Sequence, residues 1–173
     1  EFDAIITSVS SGKADIGIAG MTVTEDRLKN VDFSDTYATG RQVVITAKDS
    51  GINGVADLAG KKVGVQTGTT GDIYASDDSS IGSVEQFNSG TEAVLALSQG
   101  KVDAVIIDNE PAKKYIEKYD NLVIIDEEYT EEEYAMCIAK GNTELVEKIN
   151  EALKALEESG ELKKIIDKYI AAN

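Results

Sequence analysis

The chain has 173 residues and a mass of 18.5 kDa, which suits one domain or two small lobes. Its 17 basic residues stand against 32 acidic ones, and the net charge of −15 argues against a nucleic-acid or anionic-membrane partner. The sequence contains no histidine and one cysteine, Cys137, which excludes a His-based triad, a His-ligated metal site and an intramolecular disulfide. Without a histidine to activate it, Cys137 is interpreted as a buried strand residue rather than a nucleophile.

The start of the chain predicts a helix followed by a strand. Apolar residues at positions 5, 6 and 9 predict a helix over 3–11, with Asp3 as its candidate N-cap and Gly12 as its end. Residues 14–19 predict a short, mostly apolar strand of the kind found in buried parallel sheets. A similar segment follows later: a helix over 91–99, Gly100 and a strand over 102–107. The similarity has two interpretations, a common local motif or two related α/β lobes with one such unit each.

The remaining segments continue the alternation. Five more strands are predicted, over 42–47, 62–66, 84–87, 122–125 and 134–139, and three more helices, over 110–119, 143–158 and 162–170. The acidic residues at 127–128 and 131–133 predict a solvent-exposed stretch rather than a calcium site, because no D-x-D-x-D-G loop accompanies them. This alternation predicts an α/β fold with mostly parallel sheets flanked by helices.

Polar groups follow three of the predicted strands, and ligands of open α/β sheets bind beyond the carboxyl ends of strands. These groups are a guanidinium, hydroxyls, backbone amides and a carboxylate, which together complement a small zwitterion. They belong to the segment 20–27 with Thr22 and Arg27, the segment 67–72 with Thr69 and Thr70, and Asp108. No catalytic constellation, cofactor motif or metal-ligand cluster accompanies them.

Each of these features has two interpretations. Arg27 suits a carboxylate, because its planar fork donates two parallel hydrogen bonds, and it equally suits a surface ion pair with Glu25 or Asp26. The segment 67–71 suits an anion at a helix N-terminus or an ordinary βα turn with threonine caps, and it lacks the Gly-Lys-Ser/Thr ending of a Walker A loop. Asp108 suits an ammonium group or the N-cap of the following helix.

Four segments of the chain also carry a family resemblance. They are DIGIAGMTVT at 15–24 with Arg27 and VDFSDTY at 31–37, KVGVQTGTT at 62–70, GKVDAV at 100–105 through Asp108, and residues 134–141 with the helix after them. In this order they resemble the polar amino-acid family, family 3, of extracytoplasmic solute-binding proteins, the receptors of ABC importers. The resemblance covers essentially the whole chain. It implies a type II periplasmic-binding-protein-like α/β fold, with two lobes joined by two hinge crossings.

The resemblance implies a set of ligand contacts. Arg27 would clamp the α-carboxylate of a free amino acid, supported by Thr22 and by the backbone amides of Thr22 and Thr70. Asp108 would take the α-ammonium, together with the carbonyl of Ala19 or Gly20. Thr69 is a further candidate. The implied protein partner is the membrane permease of the importer, and the resemblance implies no catalytic residue, cofactor or metal.

The resemblance also implies how the chain divides. Lobe 2 would be continuous over 43–126, and lobe 1 would combine 1–38 with 134–173, leaving 39–42 and 127–133 as the crossings. Family members have a strand, a helix and a strand before the position of Glu1, and these supply the ligand side-chain pocket. We therefore expect a processed or truncated chain whose lobe 1 is incomplete at the N-terminus. Such a lobe would be distorted, or completed by dimerisation, swapping or an N-terminal piece, and the chain alone would bind amino acids weakly or not at all.

The functional prediction is a substrate-binding component of an ABC importer. It would capture a polar amino acid in the cleft between the lobes and deliver it to the permease. Its location would be extracytoplasmic, in the periplasm or as a cell-surface lipoprotein. Two alternatives stay open: a dehydratase-type enzyme on the same fold, with Asp108 as general acid, and the ligand-sensing domain of a membrane receptor.

Overall fold

The computed structural model describes residues 1–169, which form an alternating series of helices and strands. The helices are α1 (Ala4–Ser10), α2 (Glu25–Leu28), α3 (Thr70–Asp77), α4 (Gly90–Ser98), α5 (Asn109–Ile116), α6 (Thr143–Glu158) and α7 (Glu161–Tyr169). The strands are β1 (Ile16–Thr22), β2 (Val31–Ala47), β3 (Lys62–Gln66), β4 (Ser83–Phe87), β5 (Ala104–Asp108), β6 (Leu122–Ile124) and β7 (Thr130–Ala139). A 3-10 turn covers Val55–Leu58. None of these described helices combines the length and the apolar character needed to cross a bilayer.

The chain divides into two compact units. Unit 1 contains Glu1–Asp3 and Arg41–Glu131, and unit 2 contains Ala4–Gly40 and the chain from Glu132 onward. The chain therefore enters unit 2 after Asp3, passes to unit 1 within β2 and returns to unit 2 within β7.

Unit 1 is built on a five-strand arrangement in the order β6-β2-β5-β3-β4. Strand β3 pairs in parallel with β4 and β5, whereas β2 pairs antiparallel with β5 and β6. Alternate residues of β2 and β5 face opposite sides. Val43, Ile45, Val105 and Ile107 pack against α4 and α5, and Val44, Ala104 and Ile106 pack with Val63, Val65 and Ala75 on the side of α3. Helices therefore cover both faces of this sheet, and α3 and α5 begin at the carboxyl ends of β3 and β5.

Unit 2 has the strand order β1-β7-β2, with β1 antiparallel to β7. Helix α1 packs closely on β1 because residue 17 is a glycine. A Cβ added to Gly17 would lie 2.5 Å from Cys137 Sγ and 2.6 Å from Ile5 Cγ2. Helix α6 is tied to β2 by the Asn150 Oδ1 atom, which accepts a hydrogen bond from the Asp35 backbone at 2.8 Å.

The two similar helix–Gly–Lys segments have the same local geometry. Gly12 and Gly100 end α1 and α4 with φ of +74° and +69°, a region that glycine enters without a Cβ clash. In each case the next backbone N–H reaches back to the helix, from Lys13 to Ser8 O and from Lys101 to Ala96 O, both at 2.9 Å. These are helix endings of the Schellman type.

Several predicted elements are confirmed. The strand over 62–66 and the helix over 143–158 have the predicted bounds. The strand over 42–47 covers only the second part of β2, and the other predicted elements differ from the structure by a few residues at their ends. Cys137 is free and fully buried in β7, as predicted. The last predicted helix matches α7 through Tyr169, and its end at Ile170 lies outside the described residues.

Three expectations are wrong. The sheets are not mostly parallel: β1 is antiparallel to β7, and its Ile18 is 59% exposed, so β1 is not a buried parallel strand. The first half of β2, which lies in unit 2, was not predicted as a strand. The acidic stretch is not uniformly solvent-exposed either, because β7 begins at Thr130 and turns Glu132 inward to 5% exposure.

Candidate functional site

In unit 2, the short helix α2 places Arg27 against the end of β1. Thr24 caps the helix, and its Oγ1 accepts a hydrogen bond from the Arg27 backbone at 3.2 Å. The Arg27 side chain is only 6% exposed, and its Nη1 donates to the backbone carbonyl of Thr22 at 2.7 Å. The guanidinium is thus fixed at the strand end. The surface alternative is wrong, since Arg27 is buried and the neighbouring Asp26 pairs with Lys29.

Thr22 supplies a second polar group at this strand end. Its Oγ1 atom is buried and has no hydrogen-bond partner among the described residues. Buried hydroxyls in folded proteins nearly always have a partner, and an orphaned one calls for an explanation. A ligand oxygen bound beside Arg27 would supply that partner.

The strand itself is irregular where Ala19 and Gly20 lie. Gly17 pairs with Cys137 and Met21 pairs with Ala135, so the three residues in between on β1 face one residue on β7. Gly20 has φ of +59°, which favours glycine, and its Cβ position lies 3.4 Å from the Tyr134 ring. Bulges of this kind occur beside functional sites because they redirect backbone groups. Here the bulge frees the backbone of Ala19 and Gly20 from regular pairing.

In unit 1, the turn between β3 and α3 presents backbone N–H groups. Thr69 is the N-cap of α3, and its Oγ1 accepts from the Asp72 backbone at 3.3 Å, as the threonine-cap alternative predicted. The Gly68 amide donates to Asp72 Oδ2 at 2.9 Å and the Thr69 amide to Gln66 O at 3.3 Å. Within residues 1–169, the structure gives no acceptor for the N–H of Thr70 or Gly71. Those two buried amides are the donors that this turn offers to an anion.

Asp108 stands at the end of β5, on the same face of the unit 1 sheet as Ile106. It is the N-cap of α5, and its Oδ1 accepts from the Glu110 backbone at 3.0 Å. Gln42 lies directly opposite on β2, in register with Asp108. The N-cap alternative is therefore observed. A carboxylate has about four acceptor positions, so capping α5 does not by itself conflict with a role as an acceptor for an ammonium group.

The buried thiol of Cys137 does not suit the role of a nucleophile. Burial raises the pKa of the Cys137 thiol, and this outweighs the opposing effects of nearby backbone N–H groups and of the Arg27 charge. A thiol with a raised pKa is a poor nucleophile. In the part of the chain that the structure describes, no three acidic or cysteine side chains come together as a metal site.

Sequence reasoning proposed Arg27, Thr22 and Thr70 as candidates and did not point to three features of the structure around them. These are the bulge in β1, the buried Asp72 behind the turn and the position of Gln42 opposite Asp108. Gly20 within a strand pattern was the available signal for the bulge. Nothing local in the sequence pointed to the other two.

Comparisons with known proteins identify the family of the chain. The model of the bacterial extracellular solute-binding proteins, family 3, matches residues 1–172, so the chain belongs to this family. The arginine-binding extracellular protein ArtP of Bacillus subtilis (strain 168) is 35% identical, over 98% of this chain and 68% of that protein. The L-arginine-binding protein of Pseudomonas aeruginosa is 34% identical, over 99% of this chain and 70% of that protein.

Solved structures show the same fold. An ancestral arginine-binding protein bound to arginine is 41% identical and superposes with a TM-score of 0.88, covering 97% of this chain and 76% of that one. Holo ArgBP from T. maritima is 39% identical with a TM-score of 0.85, covering 98% and 75%. The predicted type II periplasmic-binding-protein fold is thereby confirmed.

Proposed function

We propose that this protein is the substrate-binding component of an ABC importer and that its ligand is a free polar amino acid. The observation that carries the proposal is the pair formed by Arg27 and Thr22 in unit 2. A buried guanidinium fixed by a backbone carbonyl stands next to a buried hydroxyl without a partner. A carboxylate matches both groups, because it accepts two parallel hydrogen bonds from arginine and one more from a hydroxyl.

We assign the α-carboxylate of the ligand to Arg27, Thr22 and the Thr70 amide. The α-ammonium is assigned to Asp108 and to the carbonyl of Ala19 or Gly20. Thr69 acts on the ligand through the turn, since its hydroxyl is engaged as the cap of α3.

Arginine is the ligand that we propose first. Several relatives are named for arginine binding, among them the proteins of B. subtilis and P. aeruginosa. The chain also carries a net charge of −15, which attracts a cationic ligand over a long range. Glutamine is the second candidate, because an ancestral arginine-binding protein that is 40% identical was solved with glutamine bound.

We propose that the protein acts outside the cytoplasm, as the description of its family supports, and hands its ligand to the membrane permease. This role requires no chemical step. We also propose that copies associate through unit 2: among the described strands β1 is at the edge of that unit, with its Ile18 exposed, and such edges favour pairing with another chain. Light scattering across a concentration series tests the association.

A thermal-shift screen against the common amino acids tests the proposed function. A ligand at about 100 times its Kd adds about 2.7 kcal/mol to the free energy of unfolding. For a chain of this size that corresponds to a rise of about 5 to 10 °C in Tm. We expect the rise with arginine, a smaller one with glutamine and none with glutamate, and no rise with any amino acid would contradict the proposal.

Two substitutions of Thr22 make the screen specific. Thr22→Val keeps the shape but removes the orphaned hydroxyl, so the unliganded protein should keep its Tm or gain slightly while the ligand-induced shift falls. Thr22→Ser keeps the hydroxyl and is the matched control, which should retain the shift. If both variants lose the ligand-induced rise in Tm, the Thr22 hydroxyl is not the group that binds the ligand.

A further inference from the structure

We infer that Asp72 is a positioning residue for the ligand carboxylate. It holds the turn from Gly68 to Thr70 in the one shape in which the Thr70 and Gly71 amides converge on an anion. The inference rests on the proposed function, and it concerns a residue that does not itself touch the ligand.

The Asp72 carboxylate lies behind the turn, in the first turn of α3, and is only 6% exposed. Its Oδ2 accepts from the Gly68 amide at 2.9 Å and its Oδ1 from Ser76 Oγ at 3.2 Å. The Gln86 side chain adds a third donor, with Nε2 2.8 Å from Oδ1 and 2.9 Å from Oδ2. The carboxylate thus joins the turn, the body of α3 and strand β4.

The end of β4 anchors the start of the same turn. The Phe87 carbonyl accepts from the Thr67 amide at 2.8 Å and from Thr67 Oγ1 at 3.0 Å. Residues 67 and 68 are therefore fixed from β4, one through Phe87 and the other through Gln86 and Asp72. Gly68 has φ of +75°, a conformation that glycine adopts without a Cβ clash.

The Asp72 contacts also decide which amides remain for a ligand. Because the Gly68 amide donates to the Asp72 carboxylate, it is not available to a ligand. The next amides without acceptors in the turn are those of Thr70 and Gly71. Without Asp72, the Gly68 amide would lose its acceptor, and the turn would lose the bond that fixes its direction. A preorganised donor binds more tightly than one that must be ordered first.

The test compares three variants by titration calorimetry with L-arginine and with argininamide, which lacks the α-carboxylate. Asp72→Ala removes every contact of the carboxylate. Asp72→Asn retains an oxygen that accepts from the Gly68 amide. Its new side-chain NH2 group can donate to the Gln86 side-chain oxygen once the Gln86 amide rotates by 180°. Asp78→Ala is the matched control at the other end of α3, where the Asp78 carboxylate accepts from the Ser80 amide at 2.9 Å without any contact to the turn.

We expect Asp72→Ala to weaken arginine binding by about 10- to 100-fold, the loss typical of a misplaced charge-assisted hydrogen bond, and argininamide binding by less than about threefold. Asp72→Asn should recover most of the affinity for arginine, and Asp78→Ala should change neither ligand. A merely structural Asp72 would lower the affinity for both ligands equally, which would overturn the inference, as would an unchanged affinity in Asp72→Ala.

Amide hydrogen exchange of the unliganded protein separates this inference from the proposed function. We expect faster exchange of the Gly68 and Thr69 amides in Asp72→Ala and unchanged exchange of both in Asp78→Ala. Unchanged exchange in Asp72→Ala would overturn the positioning role even if the wild type binds arginine. If Asp72→Ala exchanges faster but the wild-type protein binds no amino acid, Asp72 orders the turn and the proposed function is wrong.

Discussion

Replacing Arg27 with lysine keeps the positive charge and removes the planar fork. In the structure, one arm of the fork is already engaged, because Nη1 donates to the Thr22 carbonyl at 2.7 Å, and the side chain is 6% exposed. A lysine ammonium at this position can keep the Thr22 bond or approach a ligand carboxylate, but it cannot hold the bidentate geometry. The variant therefore loses at least one charge-assisted hydrogen bond in a buried place.

Such a bond contributes about 1.5 to 3 kcal/mol, so Arg27→Lys should weaken arginine binding by about 10- to 150-fold. Titration calorimetry at constant salt measures this. Arg41→Lys is the matched control, because Arg41 is the only other arginine and its ion pair with Glu128 is exposed, at 43% and 42% for the two side chains. An exposed pair contributes about 0.2 to 1 kcal/mol to stability, and Arg41 is not assigned to the ligand, so the affinity of the control should stay within about twofold. If the two variants bind arginine equally well, the carboxylate assignment of Arg27 is wrong.

The remaining predictions concern stability and reactivity. Gly17→Ala places a methyl group 2.5 Å from Cys137 Sγ and 2.6 Å from Ile5, so it should lower the free energy of unfolding by about 1 to 3 kcal/mol in chemical denaturation; an unchanged midpoint would show that α1 moves away freely. Hydrogen bonds from the Lys140 ammonium, first, and from a backbone N–H lower the pKa of Asp32. The stabilisation from Asp32 is therefore present above its unfolded-state pKa and is lost as pH falls through the lower folded-state pKa. Asp32→Asn should accordingly be about 1 kcal/mol less stable at pH 7 and equal to wild type in strong acid, and a constant difference would contradict the linkage. Burial raises the pKa of the Cys137 thiol, so thiol reagents should modify the native protein far more slowly than the denatured protein, and equal rates would contradict its burial.

Local signals predicted the elements that depend on neighbouring residues in the sequence. Thr69, Ser89 and Asn142 are each the N-cap of a helix, and each accepts a hydrogen bond from the residue three positions on. Gly12 and Gly100 end helices with positive φ, and the sequence predicted both ends. Short-range chemistry of this kind does not depend on the rest of the fold.

The first half of β2 could not be predicted by the same means. Residues 31–40 include Asp32, Ser34 and Asp35, which lower the strand propensity of the segment. Their polar groups are satisfied by distant residues: Asp32 by Lys140, Ser34 by the Met136 amide and the Asp35 amide by Asn150. Tertiary contacts, rather than an alternating pattern, make this segment a strand.

The candidate site also contains residues that local sequence signals predict and residues that only tertiary contacts bring together. Thr22 and Asp108 are the last residues of β1 and β5, and Arg27 follows β1 in α2, so the alternation of strands and helices pointed to all three. Asp72 and Gln86 are 14 residues apart and meet only because β4 pairs with β3 beside α3. A hydrogen bond between the buried Asp72 and the exposed Gln86 has no sequence signal, since both residue types are ordinary on a protein surface.

The most direct test of the central claim compares three ligands by titration calorimetry on the wild-type protein. L-Arginine carries both α groups, agmatine lacks the α-carboxylate, and 5-guanidinopentanoic acid lacks the α-ammonium. If Arg27 and Asp108 bind these groups, arginine should bind with one site per chain, and each analogue should bind at least about tenfold more weakly, which corresponds to about 1.4 kcal/mol per lost group. Equal affinity for arginine and either analogue would contradict the assignment of the corresponding group.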